Sequence, residues 1–346
     1  MKAATMGKVM LIDGSNMLWA SHYGAGILKS GSRNVGAIYG AALHINKLLR
    51  RFPDYSPVVL WDGKKNWRSD FYPEYKQNRG KQNKDREIVK EQRPEVARML
   101  NMLGIDQLVA DTHEADDLAG YLVTKNERMS APAKEYLLIT SDADWAQLVG
   151  DYCEWYNPRA ENPLRVGVLE FETQFPVSAL SFLDYKALRG DPSDNIPGVG
   201  GIGEGRAANL VNTYGSVEGF MRAFNAGEVQ KLPKYLERLA KNLPPPDKAM
   251  PNGEVISYPP VYDAFKRNLK LMDLENVPKP DKEVTRTVAG AFDAEAFEDF
   301  CYDNNLQKLA ANFDTFITPF KVRAIKNGRV KKTKTVQDEA VRKASA

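Results

Sequence analysis

The chain has 346 residues, 43% of them hydrophobic and 27% charged, with a formal net charge of +3, the profile of a globular protein with one large or two unequal domains. No apolar run is long enough to cross a bilayer, and the opening MKAATMGKVMLIDGS lacks the apolar stretch and small-residue cleavage site of a secretory signal. A membrane partner is therefore excluded, and a cytosolic location is expected.

Cys153 and Cys301 stand far apart without a CxxC pattern, so neither a disulfide framework nor a thiolate zinc site is expected. The small net charge conceals a segregated distribution. Basic residues crowd into WRSDFYPEYKQNRGKQNKDR (67–86) and KVRAIKNGRVKKTKT (321–335), while acids recur in short clusters between them. That separation fits a metal site within a phosphate-attracting surface, and equally a set of solvated faces.

In chain order, GKVMLIDGSN predicts a buried strand over 9–12 that ends on Asp13. A helical pattern runs from 35 to 51, and SPVVLWDG then repeats the first motif, with a strand over 58–61 ending on Asp62. A second helical pattern occupies 94–103. EADDLAGYLVTK (114–125) has Leu118, Tyr121 and Leu122 at helical spacing, with Glu114, Asp116 and Asp117 at its start. KEYLLITSDADW gives a third strand over 136–140, ending near Asp142 and Asp144. Strands alternating with helices predict an α/β fold with a parallel sheet. In such sheets ligands bind beyond the carboxyl ends of the strands, where these acids sit. Acids in a first helical turn are sufficiently explained by the helix dipole. Yet Glu114 and Asp117 share a face, and three acids so close repel unless a cation neutralises them.

From 181 the pattern changes to short helices and glycine turns. LSFLDYKALRG predicts a helix leading into Asp191, followed by GDPSDNIPGVGGIGEGRA (190–207), which sets Asp191 and Asp194 ahead of Gly198, Gly200, Gly201, Gly203 and Gly205. An Asp/Gly/Pro-rich run is commonly a surface turn. It also suits two halves of one ligand, because carboxylates hold a divalent cation while bare backbone amides and a helix amino terminus hold a phosphate. NLPPPDKAMPNGE (242–254) interrupts the region, and disorder is expected from Lys321 onward.

Asp13, Asp62, Glu114, Asp116, Asp117, Asp142, Asp144, Asp191 and Asp194 make nine carboxylates, more than general acid/base chemistry requires. His22, His44 and His113 are too scattered to form a histidine site. Hard oxygen donors without clustered His or Cys favour Mg²⁺ or Mn²⁺. A pair of such ions, about 4 Å apart, can activate water and stabilise a leaving oxygen in phosphodiester hydrolysis.

The motifs LIDGSN, VVLWDG, FYPEYKQNRGKQ, HEADDLAGYL, LLITSDADWAQLV and GDPSDNIPGVGGIGEGRAANLV, in this order, resemble the flap endonuclease family of 5′-nucleases. The likeness, over about 8–275, is to its bacterial and bacteriophage branch, the 5′-3′ exonuclease domain of DNA polymerase I and free-standing phage relatives. It implies a PIN-like α/β nuclease core over 1–180 with a helical arch at about 66–100. A helix-three-turn-helix region over 181–320 and a basic tail over 321–346 complete the division.

By the same resemblance, Asp13, Asp62, Glu114, Asp116 and Asp117 would serve a first metal, and Asp142, Asp144, Asp191 and Asp194 a second. Gly198, Gly200, Gly201 and Gly203 would grip DNA phosphates, often with a bound K⁺. The arch motif is matched by Arg68, Tyr75, Lys76 and Arg79. Lys76 and Arg79, one helical turn apart, would meet the scissile phosphate, and Tyr75 would stack on a terminal base. Many relatives have Lys-Thr-Ala after the hairpin; here Gly205, Arg206 and Ala207 leave the cationic duty to Arg206. The implied partner is DNA with 5′ ends or flaps, with RNA–DNA hybrid as a further substrate, bound by a monomer in a bacterial or phage-infected cytosol. A noncatalytic DNA-binding protein of the same fold is the alternative. A PIN-type ribonuclease would share the acids but leave the glycine hairpin unexplained.

Overall fold

A computed structural model of the protein describes residues 6–26, 28–78, 85–129, 131–252, 255–282 and 285–331. The chain divides into two compact units, one of Met1–Asp13, Asp62–Lys84 and Ala110–Thr285, the other of Gly14–Trp61, Asp85–Val109 and Arg286–Ala346. No helix among the described residues is long and apolar enough to cross a membrane.

In the first unit, strands Gly7–Asp13, Lys134–Ile139 and Cys153–Tyr156 pair in parallel, with Ile12 opposite Ile139 and Ile139 opposite Tyr156. Their apolar runs, buried on both faces, are what a parallel sheet demands. The short strand Arg165–Val166 adds an antiparallel edge to this parallel sheet, pairing with Cys153–Tyr156. Helix Ala115–Glu127 packs on this sheet, and a cluster of Trp155, Phe171, Phe175 and Phe182, with ring centroids 4.6–5.6 Å apart, fills the space beyond it. The helices Phe182–Arg189, Glu204–Tyr214, Val217–Asn225 and Val261–Met272 form the remainder of the unit's helical part.

In the second unit, strand Ser56–Trp61 pairs in parallel with Asp106–Ala110, whose other neighbour is Thr285–Val288. Helix Gly36–Arg51 buries Ala37, Ala41, Ile45 and Leu48 along one stripe. Helix Asp85–Met102 starts well before the expected 94 and carries Pro94 within it. The proline reads as a helix start because it lacks an amide hydrogen. The buried stripe Val89, Gln92, Val96, Met99 nonetheless keeps helical spacing across it. Helix Phe313–Lys326 likewise runs past 321, where disorder was expected, because Phe316, Ile317, Phe320 and Ala324 form a buried stripe that ends on a small residue. Arg329 then pairs with Asp106 at 2.6 Å. Residues 332–346, the rest of the expected tail, lie outside the described residues.

Gly120, inside helix Ala115–Glu127, has the carbonyl oxygen of Leu274 standing where a Cβ would sit. Helix propensity alone predicts that Gly120→Ala stabilises by about 1 kcal/mol. The contact reverses the sign, and a loss of about 1–3 kcal/mol is expected in urea denaturation. A midpoint equal to or above that of the unaltered chain would refute the close approach.

Candidate metal centre and phosphate grip

All nine acids lie in the first unit. Asp13 ends strand Gly7–Asp13, is buried, and accepts a hydrogen bond from Thr140 Oγ1 at 3.0 Å, beyond the end of the neighbouring parallel strand. The same Thr140 oxygen accepts from the Asp142 amide, and Asp142 Oδ1 accepts from the Asp144 amide at 2.9 Å as the cap of the short 3₁₀ turn Ala143–Leu148. Asp116 is held from the side, accepting from Trp145 Nε1 at 2.8 Å. Asp62 Oδ1 accepts from the Ala115 amide at 2.9 Å, which fixes it at the amino terminus of helix Ala115–Glu127.

Among the described residues, three cations stand against this charge. Lys76 Nζ bonds Glu114 Oε1 and lies 3.5 Å from Asp194 Oδ2. Lys186, only 4% exposed, bonds Asp144 Oδ1 and lies 3.3 Å from Asp191 Oδ2. Arg68 reaches Asp117 at 2.7 Å and Glu114 at 3.5 Å, and its Nε donates to the Leu271 carbonyl at 2.6 Å. Among the described residues no three of the acids close on one point tightly enough to hold an ion as they stand.

The donor set nevertheless fits a hard divalent cation, because every ligand offered is a carboxylate oxygen and several are under electrostatic stress. Burial, with Asp142 and Glu114 nearby, pushes the Asp116 carboxyl well above its usual range. Burial and Asp144 push Asp142 up to about 6. Burial would also raise Glu114, but Lys76 and Arg68 hold it below the usual value. A cation between Asp116 and Asp142 would relieve what the lysines leave unbalanced.

Several expectations are corrected by the geometry. Asp117 is fully buried, paired with Arg68 and accepting from the Glu114 amide and Trp67 Nε1, so its carboxylate is committed to the interior at the start of helix Ala115–Glu127. Arg68, at 2% exposure, is the buried counterion of that acid and offers no surface to DNA. Tyr75, at 6%, has its hydroxyl 2.8 Å from Glu114 Oε2 and 3.0 Å from Asp194 Oδ2, which withdraws the ring from base stacking in this conformation. Lys76 is not helical: it sits in a turn with φ +56°, its amide donating to the Asp194 carbonyl at 2.9 Å. Arg79 lies outside the described residues.

Around that contact the turn holding Tyr75 and Lys76 is tied to the turn holding Asp191 and Asp194. Asn195 Nδ2 donates to the Glu74 carbonyl and Asn78 Nδ2 to the Pro192 carbonyl, both at 2.8 Å. Ser193 donates to Asp191 Oδ1 from its amide at 2.8 Å and its hydroxyl at 2.7 Å. These hydrogen bonds and Lys186 hold the Asp191 carboxyl below its usual range against the effect of burial.

The glycine run has two functions. Gly190, at φ +77°, and Gly198 approach so closely that a Cβ on either would meet the other's backbone or that of Arg189. Gly203 and Gly205, by contrast, face open space. Packing does not demand glycine there, and the space is open at the start of helix Glu204–Tyr214, where backbone amides would suit a phosphate. Arg206 braces the turn, donating to the Gly201 carbonyl at 2.6 Å with its guanidinium 4.6 Å over the Tyr235 ring. His113 bridges Thr112 and the Pro278 carbonyl, a structural histidine. The sequence reading missed Lys186. The signal was its place four residues after the buried Phe182, a charge where the helical stripe asks for an apolar side chain.

Two predictions follow from the charges. Arg68→Met leaves Asp117 buried and uncompensated and should cost about 3–5 kcal/mol in urea denaturation; a loss no larger than that of Lys76→Met would refute the buried pair. Because the Asp142 carboxyl titrates higher in the folded chain than in the unfolded one, its contribution to stability is full below about pH 4 and is lost as pH climbs through about 6. Without divalent cations, Asp142→Asn should therefore raise the thermal midpoint increasingly between pH 5 and pH 7.5 and hardly at pH 4. A gain confined to low pH would reverse the assignment.

Residues 8–175 match the family model described as the 5′-3′ exonuclease N-terminal resolvase-like domain, and residues 177–245 the one described as the 5′-3′ exonuclease C-terminal SAM fold. The 5′-3′ exonuclease of Buchnera aphidicola subsp. Baizongia pistaciae is 31% identical over 237 residues, 68% of this chain and 74% of that one. The thermostable DNA polymerase I of Thermus filiformis is 30% identical over 237 residues, 68% of this chain; the chain spans about a quarter of that relative, the matched part being 27% of it. The fold is that of the bacteriophage T5 flap endonuclease, solved as a pseudo-enzyme-product complex with DNA and metal ions, at TM-score 0.57 and 21% identity over 90% of this chain and 98% of that one. With its acids at the carboxyl ends of parallel strands and its glycine turn at a helix start, the chain belongs to the 5′-3′ exonuclease family.

Proposed function

We propose that this protein is a divalent-metal-dependent 5′-nuclease that hydrolyses phosphodiester bonds at or near the 5′ ends of DNA, by exonuclease or flap cleavage. The observation that carries the reading is the gathering of Asp13, Glu114, Asp116, Asp142, Asp144, Asp191 and Asp194 in one unit with the Gly203–Gly205 turn. Phosphate binding and carboxylate chemistry then belong to the same body. Mg²⁺ or Mn²⁺ suits the oxygen donors, and K⁺ at the hairpin belongs to the same reading.

Glu114, Asp116 and Asp13 would hold one cation, and Asp142, Asp144, Asp191 and Asp194 another; bound there, the ions supply charge neutralisation and Lewis acidity at the scissile phosphate. The chain's own groups do the rest. The amides at Gly203 and Gly205 and the start of helix Glu204–Tyr214 hold a duplex phosphate without reading sequence. The Lys76 amine stands between Glu114 and Asp194, and would be available to a substrate phosphate where a bound cation takes over the charge of those carboxylates. It then meets the negative charge that develops on the phosphate oxygens. Thr140 and Trp145 keep Asp13 and Asp116 from turning away.

The test is cleavage of a 5′-labelled flap and a recessed duplex with Mg²⁺. Asp142→Asn combined with Asp144→Asn should abolish cutting and leave duplex binding intact. Lys76→Ala should slow cutting by about 10²–10³-fold. Intact protein that binds DNA yet cuts nothing with Mg²⁺ or Mn²⁺ would instead establish the noncatalytic reading.

A further inference from the structure

The second unit carries a groove that nuclease chemistry does not use. It lies between helix Asp85–Met102 and strand Thr285–Val288 and encloses about 560 Å³. Trp61, Ala97, Val109 and Val288 give it an apolar floor, while Arg93, Arg98, Arg286 and Lys331 stand around it. Among the described residues that line it there is no aspartate or glutamate.

The placement follows from strand periodicity. Arg286 and Val288 are two apart on one strand, as are Gln107 and Val109 on the next, so each pair points to one side of the sheet. Thr285–Val288 stands at the end of the strand order, where an extended peptide can align along an edge. Val288 is 43% exposed, an apolar surface open to a ligand. Arg98 and Lys331 have counterions, Glu95 at 3.4 Å and Asp293 at 3.1 Å, but both basic side chains are more than half exposed, so these pairs exchange readily for others.

The chemistry selects the occupant. A nucleic acid strand would need an open aromatic face for its bases, yet Trp61 is only 3% exposed and lies beneath the Arg93 guanidinium at 5.0 Å. The chain's own residues beyond Lys331 include Lys332, Lys334, Arg342 and Lys343 against Asp338 and Glu339, so like charge opposes them. We propose that this groove docks a short acidic segment of a partner protein carrying an apolar side chain. Its carboxylates meet the arginines and Lys331, and its apolar group settles against Val109 and Val288.

The test uses the full chain and a fluorescein-labelled peptide of four aspartates followed by leucine and phenylalanine, read by fluorescence anisotropy. Saturable binding is expected, and it should weaken at least about tenfold in Val288→Asp and in Arg286→Glu, as when an anchor or its charge partner is lost. Replacing the aspartates by lysine, or the two apolar residues by alanine, should weaken it as much, while flap cleavage by both variants stays unchanged. Absence of saturable binding, or equal binding by Val288→Asp with an unchanged thermal midpoint, would overturn the proposal. So would a loss of single-stranded DNA affinity in Val288→Asp, which makes the groove a DNA surface, or a dimer in sedimentation that the same variant dissolves, which makes it a self-contact.

Discussion

Carboxylates crowded into one small volume repel each other, and the first unit is organised around the positive charge that this repulsion demands. Arg68, Lys76 and Lys186 arrive from three different segments, and each meets two acids. Arg68 is the structural member, buried and locked by the Leu271 carbonyl. The two lysines are the more adaptable members, because an ammonium on a flexible stem adjusts its position more readily than a guanidinium fixed by two acids and a carbonyl.

The second organising element is the clasp between two turns. Asp191 and Asp194 are acids on a 3₁₀ turn, a piece of backbone with little rigidity of its own. The amide of Lys76 and the side chains of Asn78 and Asn195 cross-link it to the turn that holds Tyr75 and Lys76. The Gly190 and Gly198 backbones pack against each other directly behind it. Carboxylates, lysine and glycine turn thus share one support, and a change at any of them is felt by the others.

Much of this was legible in the residues alone. Apolar runs that stop on an aspartate identify strand ends, and Asp13, Asp142 and Asp144 lie where that rule puts them. Side-chain direction was less legible, because hydropathy says nothing about which oxygen meets which nitrogen. Asp117 and Arg68 look like site and surface residues in sequence, but they neutralise each other in the interior. Lys186 was hidden for the opposite reason, as a charge inside an apolar helical stripe. Spacing suggested that Lys76 sits on a helix, whereas its backbone turns left-handed to reach Asp194. Pro94 and the polar start of helix Asp85–Met102 misled because the buried stripe that unites them is sparse. The basic composition after 320 concealed Ala324, the last residue of an apolar stripe.

The left-handed turn at Lys76 narrows the substitutions open to the protein over evolution. Its backbone conformation favours glycine or asparagine, while the acids around its side chain require a long cation. No residue satisfies both preferences, so the position is held by the one whose chemistry outweighs its backbone strain. A glycine there would relax the turn but leave Glu114 and Asp194 without the Lys76 ammonium, so backbone energy gained is set against ion pairs lost. Backbone preference and charge compensation therefore pull on this one residue in opposite directions.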